Sequence, residues 1–181
     1  ISIPYHLKEI QEGCFYKCEK LKKIQIPIDS DLQIISKHAF KYSAIESISI
    51  SSNLKEIQDE AFSNCQYLSK FKIPNISKLK HIGKCALSEC VELKQFNFPS
   101  NSKSITIDNE ILSDSSIENI SIPSNINFNS RWFYKTHLTS ICIQPFKEKN
   151  ISIYENKFIL GKSNQFNPNF DVLVFAYRDI K

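Results

Sequence analysis

The chain has no methionine, three glycines and two arginines among its 181 residues. Each shortage excludes something. Loops that cradle phosphate need glycine where backbone N–H groups approach the ligand. No G-x-G-x-x-G, Walker-type or G-x-S-x-G sequence occurs here. Recognition of nucleic acid calls for clustered arginine interleaved with aromatics. Arg131 and Arg178 stand alone, and the net charge of +4 is evenly mixed. Nucleic acid is therefore not an expected partner. No apolar stretch reaches the roughly 18 residues that a membrane-spanning helix needs, so no segment is expected to insert in a membrane. A chain without an initiator methionine, whose first motif starts partway through, is expected to be a fragment or a processed product.

What the chain does have is repetition. LKKIQIP at 21–27, IESISIS at 45–51, LSKFKIP at 68–74, LKQFNFP at 93–99, IENISIP at 117–123 and LTSICIQ at 138–144 are versions of one phrase, and ISIP at 1–4 is a clipped seventh. Pro4, Pro27, Pro74, Pro99 and Pro123 share a register in which Ser51 stands for the missing proline. Successive gaps are 23, 24, 23, 25 and 24 residues. Such a period is the signature of a solenoid.

The unit has two halves. In L-x-x-I-x-I-P, apolar and polar residues alternate as in a short strand with one buried face, and the proline ends it because it cannot donate to a ladder. The second half, L-x-x-I-x-x-x-A-F-x-x-C, reads LKEIQEGCFYKC from Leu7, LQIISKHAFKYS from Leu32, LKEIQDEAFSNC from Leu54 and LKHIGKCALSEC from Leu79. Later copies drift, with Ile107 and Leu112 in register and then Phe128 and Phe133. This half predicts an extended piece running into a short helical or 3₁₀ turn around Ala61 and Phe62. One unit cannot cover its own apolar side, so successive coils must stack. Phe15, Phe40, Phe62, Leu87, Leu112 and Phe133 are then expected to form one internal column. The fold class is α/β: a right-handed solenoid of residues 1–144 with short parallel strands on its concave face and short helical turns elsewhere.

Cys18, Cys65 and Cys90 share one repeat position, which Ser43, Ser115 and Thr136 fill in other coils. A small, faintly polar side chain in a tight interior corner, meeting a backbone group, suits all six. A Cys65–Cys90 bridge is the rival reading, but stacked side chains point the same way. Cys14 takes an alanine place, and Cys142 is expected to project from the open face. His38, Glu60 and Cys85 occupy one position on three successive coils. His38 and Cys85 would lie about 10 Å apart across two coils, too far to share an ion. No metal site, cofactor site or catalytic constellation is expected, and the chain is read as a non-enzyme. N-x-S sequons start at Asn75, Asn119 and Asn150, and are compatible with secretion.

Two residues per strand should project from the open face: Lys23 and Gln25, Ser47 and Ser49, Lys70 and Lys72, Gln95 and Asn97, Asn119 and Ser121, then Ser140 and Cys142. The surface is rich in amides and hydroxyls, with one basic spot at Lys70 and Lys72, and lacks aromatic anchors. The first ten of these residues are the candidate partner-binding set. The expected partner is a polar or acidic surface on a protein, or a glycan. The alternative is a structural spacer whose face binds nothing. After Gln144 the rhythm breaks. Apolar runs at 154–160 and 172–177 flank a loop rich in Asn, Ser and Pro, which predicts a β-hairpin over 145–181, either a cap on the solenoid or an island between repeat blocks.

The unit L-x-x-I-x-I-P…L-x-x-I-x-x-x-A-F-x-x-C resembles the BspA-like leucine-rich repeat, a type also found in treponemal proteins. Its best copies here are LKEIQDEAFSNCQYLSKFKIP and LKEIQEGCFYKCEKLKKIQIP, and the likeness covers about residues 1–144. The tail, KFILGKS followed by FDVLVFAYRDIK, resembles inserts in the BspA-like proteins of trichomonad protists. The resemblance implies a horseshoe-like solenoid from a cell-surface or secreted protein that adheres to host matrix proteins or other microbes. It carries over no active site. Ile111-Leu112 and Trp132-Phe133 in place of Ala-Phe, and Ser51 and Gln144 in place of proline, are departures from the pattern.

Overall fold

A computed structural model of the chain describes residues 1–99, 105–124, 126, 129–144, 151–154, 158–161 and 172–176. It is a parallel β-solenoid of about five turns with almost no helix. One wall is a five-stranded parallel sheet made of β1 (Glu9–Ile10), β2 (Ile34–Ile35), β4 (Glu56–Ile57), β6 (His81–Ile82) and β8 (Thr106–Ile107). The opposite strands come from the L-x-x-I-x-I phrase. They are β3 (Ser47–Ser49), β5 (Lys70–Lys72), β7 (Gln95–Asn97), β9 (Asn119–Pro123) and β10 (Ser140–Gln144). Every pairing in these walls is parallel and joins like positions of neighbouring repeats.

The A-F-x-x-C segments form a third wall, a ridge of overlapping tight turns rather than helices. In the third coil the N–H groups of Ala61, Ser63 and Cys65 donate to the carbonyls three residues back, at 3.3, 3.1 and 3.3 Å. The alternate N–H groups, of Glu60, Phe62 and Asn64, donate to Lys84, Ala86 and Ser88 of the next coil at 2.9, 2.8 and 2.9 Å. Local turn closure and coil-to-coil bonding thus share the donors between them, which keeps buried backbone paired without a helix. Among the described residues the exception is a 3₁₀ turn at Ser130–Phe133, capped by Asn129, whose side chain accepts from the N–H of Arg131.

This ridge takes left-handed backbone twice in each of the first five coils and once, at Lys135, in the last. Lys17, His38, Tyr42, Glu60, Asn64, Cys85, Glu89, Glu110, Asp114 and Lys135 have φ of 53–62°. Gly13 (φ 62°), His38, Asn64 and Asp114 are of the types enriched in this conformation, and the other residues are not.

The expected internal column is present. Phe15, Phe40 and Phe62 stack with ring centroids 4.9 Å apart and planes within 13° and then 3° of parallel. That spacing matches the separation of paired strands. Leu87, Leu112 and Phe133 continue the column and are buried. Aromatic bulk then crosses the interior. Phe71 meets Phe62 edge-on at 5.1 Å, Phe96 follows at 5.9 Å, and Phe98 packs edge-on against Phe96 at 4.9 Å. The fourth coil therefore carries its aromatics on the strand side, with Leu87 on the ridge side. The fifth has none in either column, and Trp132 of the last coil reaches Phe98 with centroids 6.1 Å apart.

The shared cysteine corner is also as read. Cys65 Sγ donates to the carbonyl of Phe40 at 3.1 Å and Cys90 Sγ to that of Phe62 at 3.3 Å. Thr136 Oγ1 donates to Phe133 at 2.9 Å. The thiols are free, and Cys142 is exposed. Ser51 earns its proline position differently: fully buried, it donates to the carbonyl of Ser30 at 2.9 Å and accepts from the N–H of Asn53 at 3.2 Å, pinning one corner to the next.

The tail contains the expected antiparallel pair and one strand more. It is a three-stranded antiparallel sheet in which β11 (Ile151–Tyr154) pairs β12 (Phe158–Gly161), and β12 pairs β13 (Val172–Ala176) with an irregularity between Ile159 and Leu160. The first apolar run, read as one strand, is divided between two. Ile159 is buried in the hydrophobic core. Phe128 and the sequon at Asn150 lie outside the described residues.

Candidate functional site

The strand phrases set the geometry of the open face. Alternation sends Ile48, Phe71, Phe96, Ile120 and Ile141 inward, where all five are buried. Their neighbours are turned outward. Ser47 is opposite Lys70 and Ser49 opposite Lys72. Gln95 is opposite Asn119 and Asn97 opposite Ser121, and these face Ser140 and Cys142 in turn. Single bridges join Lys23 to Ser47 and Gln25 to Ser2. The ten candidate residues therefore lie in two columns on one face, and each is exposed or partly exposed.

Charge on this face is uneven. At its flank, Lys22 pairs with Glu46 at 3.5 Å and Lys94 with Glu118 at 3.2 Å. Between those pairs the flank position holds Ser69, whose hydroxyl donates to the carbonyl of Glu46. Lys70 and Lys72 project from the same coil, about 6.6 Å apart along the strand. Gln95 Nε2 reaches Asn97 Oδ1 at 3.5 Å. The arrangement offers ammonium, amide and hydroxyl groups. Among the described residues it brings together no nucleophile, base and acid, and no group of three or more His, Cys, Asp or Glu side chains able to hold a metal.

The column of His38, Glu60 and Cys85 is the left-handed position of the ridge, so these side chains stand on the surface of the turns. His38 Nε2 lies 3.7 Å from Glu60 Oε1, and its Nδ1 lies 3.6 Å from Glu12 Oε1. Lys41 donates to Glu60, which holds the Glu60 carboxyl below its ordinary range and raises the Lys41 ammonium. Cys85 contacts Glu110 at 3.6 Å; burial first, and that carboxylate second, push its thiol up. Burial, opposed in part by hydrogen bonding to Ser43, pushes the Cys65 thiol up to about 11, so it stays protonated and unreactive.

One cluster escaped the sequence reading. On the ridge Tyr16 and Tyr42 meet edge to face with centroids 5.9 Å apart. Lys17 Nζ lies over both rings, at 5.4 and 5.8 Å, and Lys41 Nζ lies 5.4 Å from the ring of Tyr42. The signal was the pair Tyr16-Lys17 recurring in reverse order as Lys41-Tyr42 at the same two repeat positions. It is invisible when attention rests on the strands.

Parallel strands, coil-to-coil ladders, a tight-turn ridge and an open polar face define a leucine-rich-repeat solenoid. The chain belongs to the family described as the BspA type leucine rich repeat region (6 copies), whose model matches residues 1–107 and 33–165. Among solved structures, it is similar to the pneumococcal vaccine antigen PcpA, at 22% identity and TM-score 0.64, over 90% of this chain and 34% of that one. It is similar to the T. pallidum leucine rich repeat protein, at 19% identity and TM-score 0.59, over 78% of this chain and 72% of that one. A leucine-rich repeat protein from Bacteroides ovatus matches at 23% identity and TM-score 0.55, over 81% of this chain and 45% of that one. The chain thus spans about a third of the length of PcpA. At these identities the likeness carries the fold. All three are bacterial proteins, and none supports the trichomonad likeness of the tail. No curated protein matches the sequence.

Proposed function

We propose that this chain is a non-enzymatic interaction module of a cell-surface or secreted protein, and that it engages a partner through its strand face. The observation that carries the reading is the pair of outward columns from Lys23 and Gln25 to Asn119 and Ser121. These polar side chains are held in register by a buried core and stand exposed or partly exposed along the face. Repeat solenoids present such extended surfaces to partners. The neighbour named a vaccine antigen is consistent with exposure at a cell surface. The partner is a polar or acidic protein surface, such as a host matrix or other cell-surface protein, with a glycan as the second class.

Arrays of matrix proteins and glycans, probed with the wild-type chain and with Gln25→Glu/Asn119→Glu, test this. Two glutamates at these exposed positions of the face should abolish capture while the melting temperature stays unchanged. Capture by wild type that survives both substitutions would move the site off this face.

A further inference from the structure

The strand face is not one sheet. β3 pairs β5, β7 pairs β9 and β9 pairs β10, but β5 and β7 are not joined. Among the described residues no backbone hydrogen bond links 70–74 to 95–98. Elsewhere the same positions are bonded: the N–H of Ile50 donates to Lys72 at 3.0 Å, and that of Phe98 to Ser121 at 3.0 Å. The other two walls run through the same coils unbroken, with Glu56 opposite His81 and the N–H of Phe62 donating to Ala86.

The cause lies in the core. Phe71 and Phe96 are neighbouring phenylalanines at a position where Ile24, Ile48, Ile120 and Ile141 stand in other coils. A phenylalanine beside an isoleucine is tolerated, since Ile48 pairs Phe71 and Phe96 pairs Ile120. Two phenylalanines side by side, tilted 33° at 5.9 Å, hold the strands apart. Ile73, beside the opening, remains in the buried core, as do its counterparts Ile26, Ile50 and Ile122.

Charge singles out the same place. Residues 61–88 contain five lysines, Lys70, Lys72, Lys78, Lys80 and Lys84, and no aspartate or glutamate. Lys84 pairs with Glu110 and Lys78 donates to Asn53, but Lys70 and Lys72 border the seam with no carboxylate within ion-pair distance among the described residues. A sheet edge offers N–H and C=O groups to another chain. Here that edge lies between two ammonium groups on one side and two carboxamides, Gln95 and Asn97, on the other.

We propose that the seam between β5 and β7 is the docking site for an acidic polypeptide segment. Its carboxylates meet Lys70 and Lys72, and its backbone engages the amides of Gln95 and Asn97 and the unpaired edges. This rests on the strand face being the binding surface and narrows it to one junction.

Binding of fluorescent poly-L-glutamate to the whole chain, followed by anisotropy at two salt concentrations, tests the proposal. Lys70→Glu/Lys72→Glu should weaken binding about tenfold or more. Lys8→Glu/Lys55→Glu, an equal charge change on another wall, should leave it within about twofold, as for charges remote from a contact. Phe71→Ile/Phe96→Ile keeps the lysines and closes the seam, and should weaken binding several-fold. Equal losses in both lysine pairs, no effect of the isoleucines, or binding of heparin in place of polyglutamate would each overturn the proposal. Its failure is separable from that of the broader reading. An array partner lost in Gln25→Glu/Asn119→Glu but kept in Lys70→Glu/Lys72→Glu leaves the strand face intact and removes the seam.

Discussion

The turn ridge and the strand face are made by the same coils, yet one is continuous and the other is divided. On the ridge the N–H of the inward residue donates to the next coil from Phe15 through Phe40, Phe62 and Leu87 to Leu112, at 2.7–3.1 Å. On the strand face the ladder stops at Lys72 and resumes at Gln95. The ridge repeats a backbone conformation, and its donors are shared by a rule that ignores side-chain size. The strand face registers whatever bulk lies beneath it. Where aromatic volume crosses from the ridge column to the strand column, the strands part and the ridge does not. Positions that keep the solenoid together are thus separated from positions free to vary the surface.

The largest effect expected from disturbing this contrast is in the ridge column. Phe62 is fully buried between the coils of Phe40 and Leu87. Phe62→Ala should lower the unfolding free energy by about 3–5 kcal/mol in a denaturant titration. A loss below about 1 kcal/mol would place Phe62 outside the core.

Next is the close approach of two coils at Gly83. A Cβ there would stand 2.5 Å from Asp59 Oδ1 and 2.6 Å from the Asp59 nitrogen. Gly83→Ala should destabilise by about 1–3 kcal/mol. Because backbone is part of the clash, adding Asp59→Ala should restore only a fraction of that loss.

A smaller change of opposite sign is expected at the left-handed positions. Glu89, with φ of 58°, is exposed. Glu89→Gly should stabilise by up to about 1 kcal/mol, because relief of Cβ strain exceeds the added freedom of the unfolded chain. Glu89→Val should destabilise, and thermal melts distinguish the two. If glycine instead destabilises, the ridge is held by the side chains and not by backbone geometry.

The smallest effect is electrostatic. Lys41 first, and His38 after it, hold the folded Glu60 carboxyl below its unfolded value of 4.5, against some opposing desolvation. The stability this contributes is complete above that value and disappears as pH falls through the lowered one. Glu60→Gln should remove this part of the acid sensitivity, lowering the melting temperature more above pH 6 than below pH 4, where the wild-type carboxyl is itself protonated. The pair is largely at the surface, so the difference should also shrink in high salt.

Much of this was legible in the repeats. Register gave the Phe15, Phe40 and Phe62 stack and the outward columns, because in a solenoid like positions become neighbours. The small-residue corner of Cys65 and Cys90 was legible for the same reason. The left-handed positions were not, since Lys17, Tyr42 and Cys85 are poor advertisements for positive φ, and Gly13, His38, Asn64 and Asp114 mark the place only in scattered coils. The seam was hidden because it depends on what stands beside Phe71, a relation between coils rather than a letter of the motif. The ridge cluster of Tyr16 and Tyr42 was missed because adjacent repeat positions exchange residue types there. In the tail no repeat supplied a register, so the apolar run at 154–160 concealed the end of one strand and the start of another.

Amide hydrogen exchange resolved by residue tests the account most directly. In-register stacking expects slow exchange at Phe40, Phe62, Leu87 and Leu112 on the ridge and at Ile50 and Phe98 on the strand face, with fast exchange at Ile73 in the seam. Rapid exchange at the ridge amides would contradict the stacking itself, and protection of Ile73 equal to that of Ile50 would contradict the divided face.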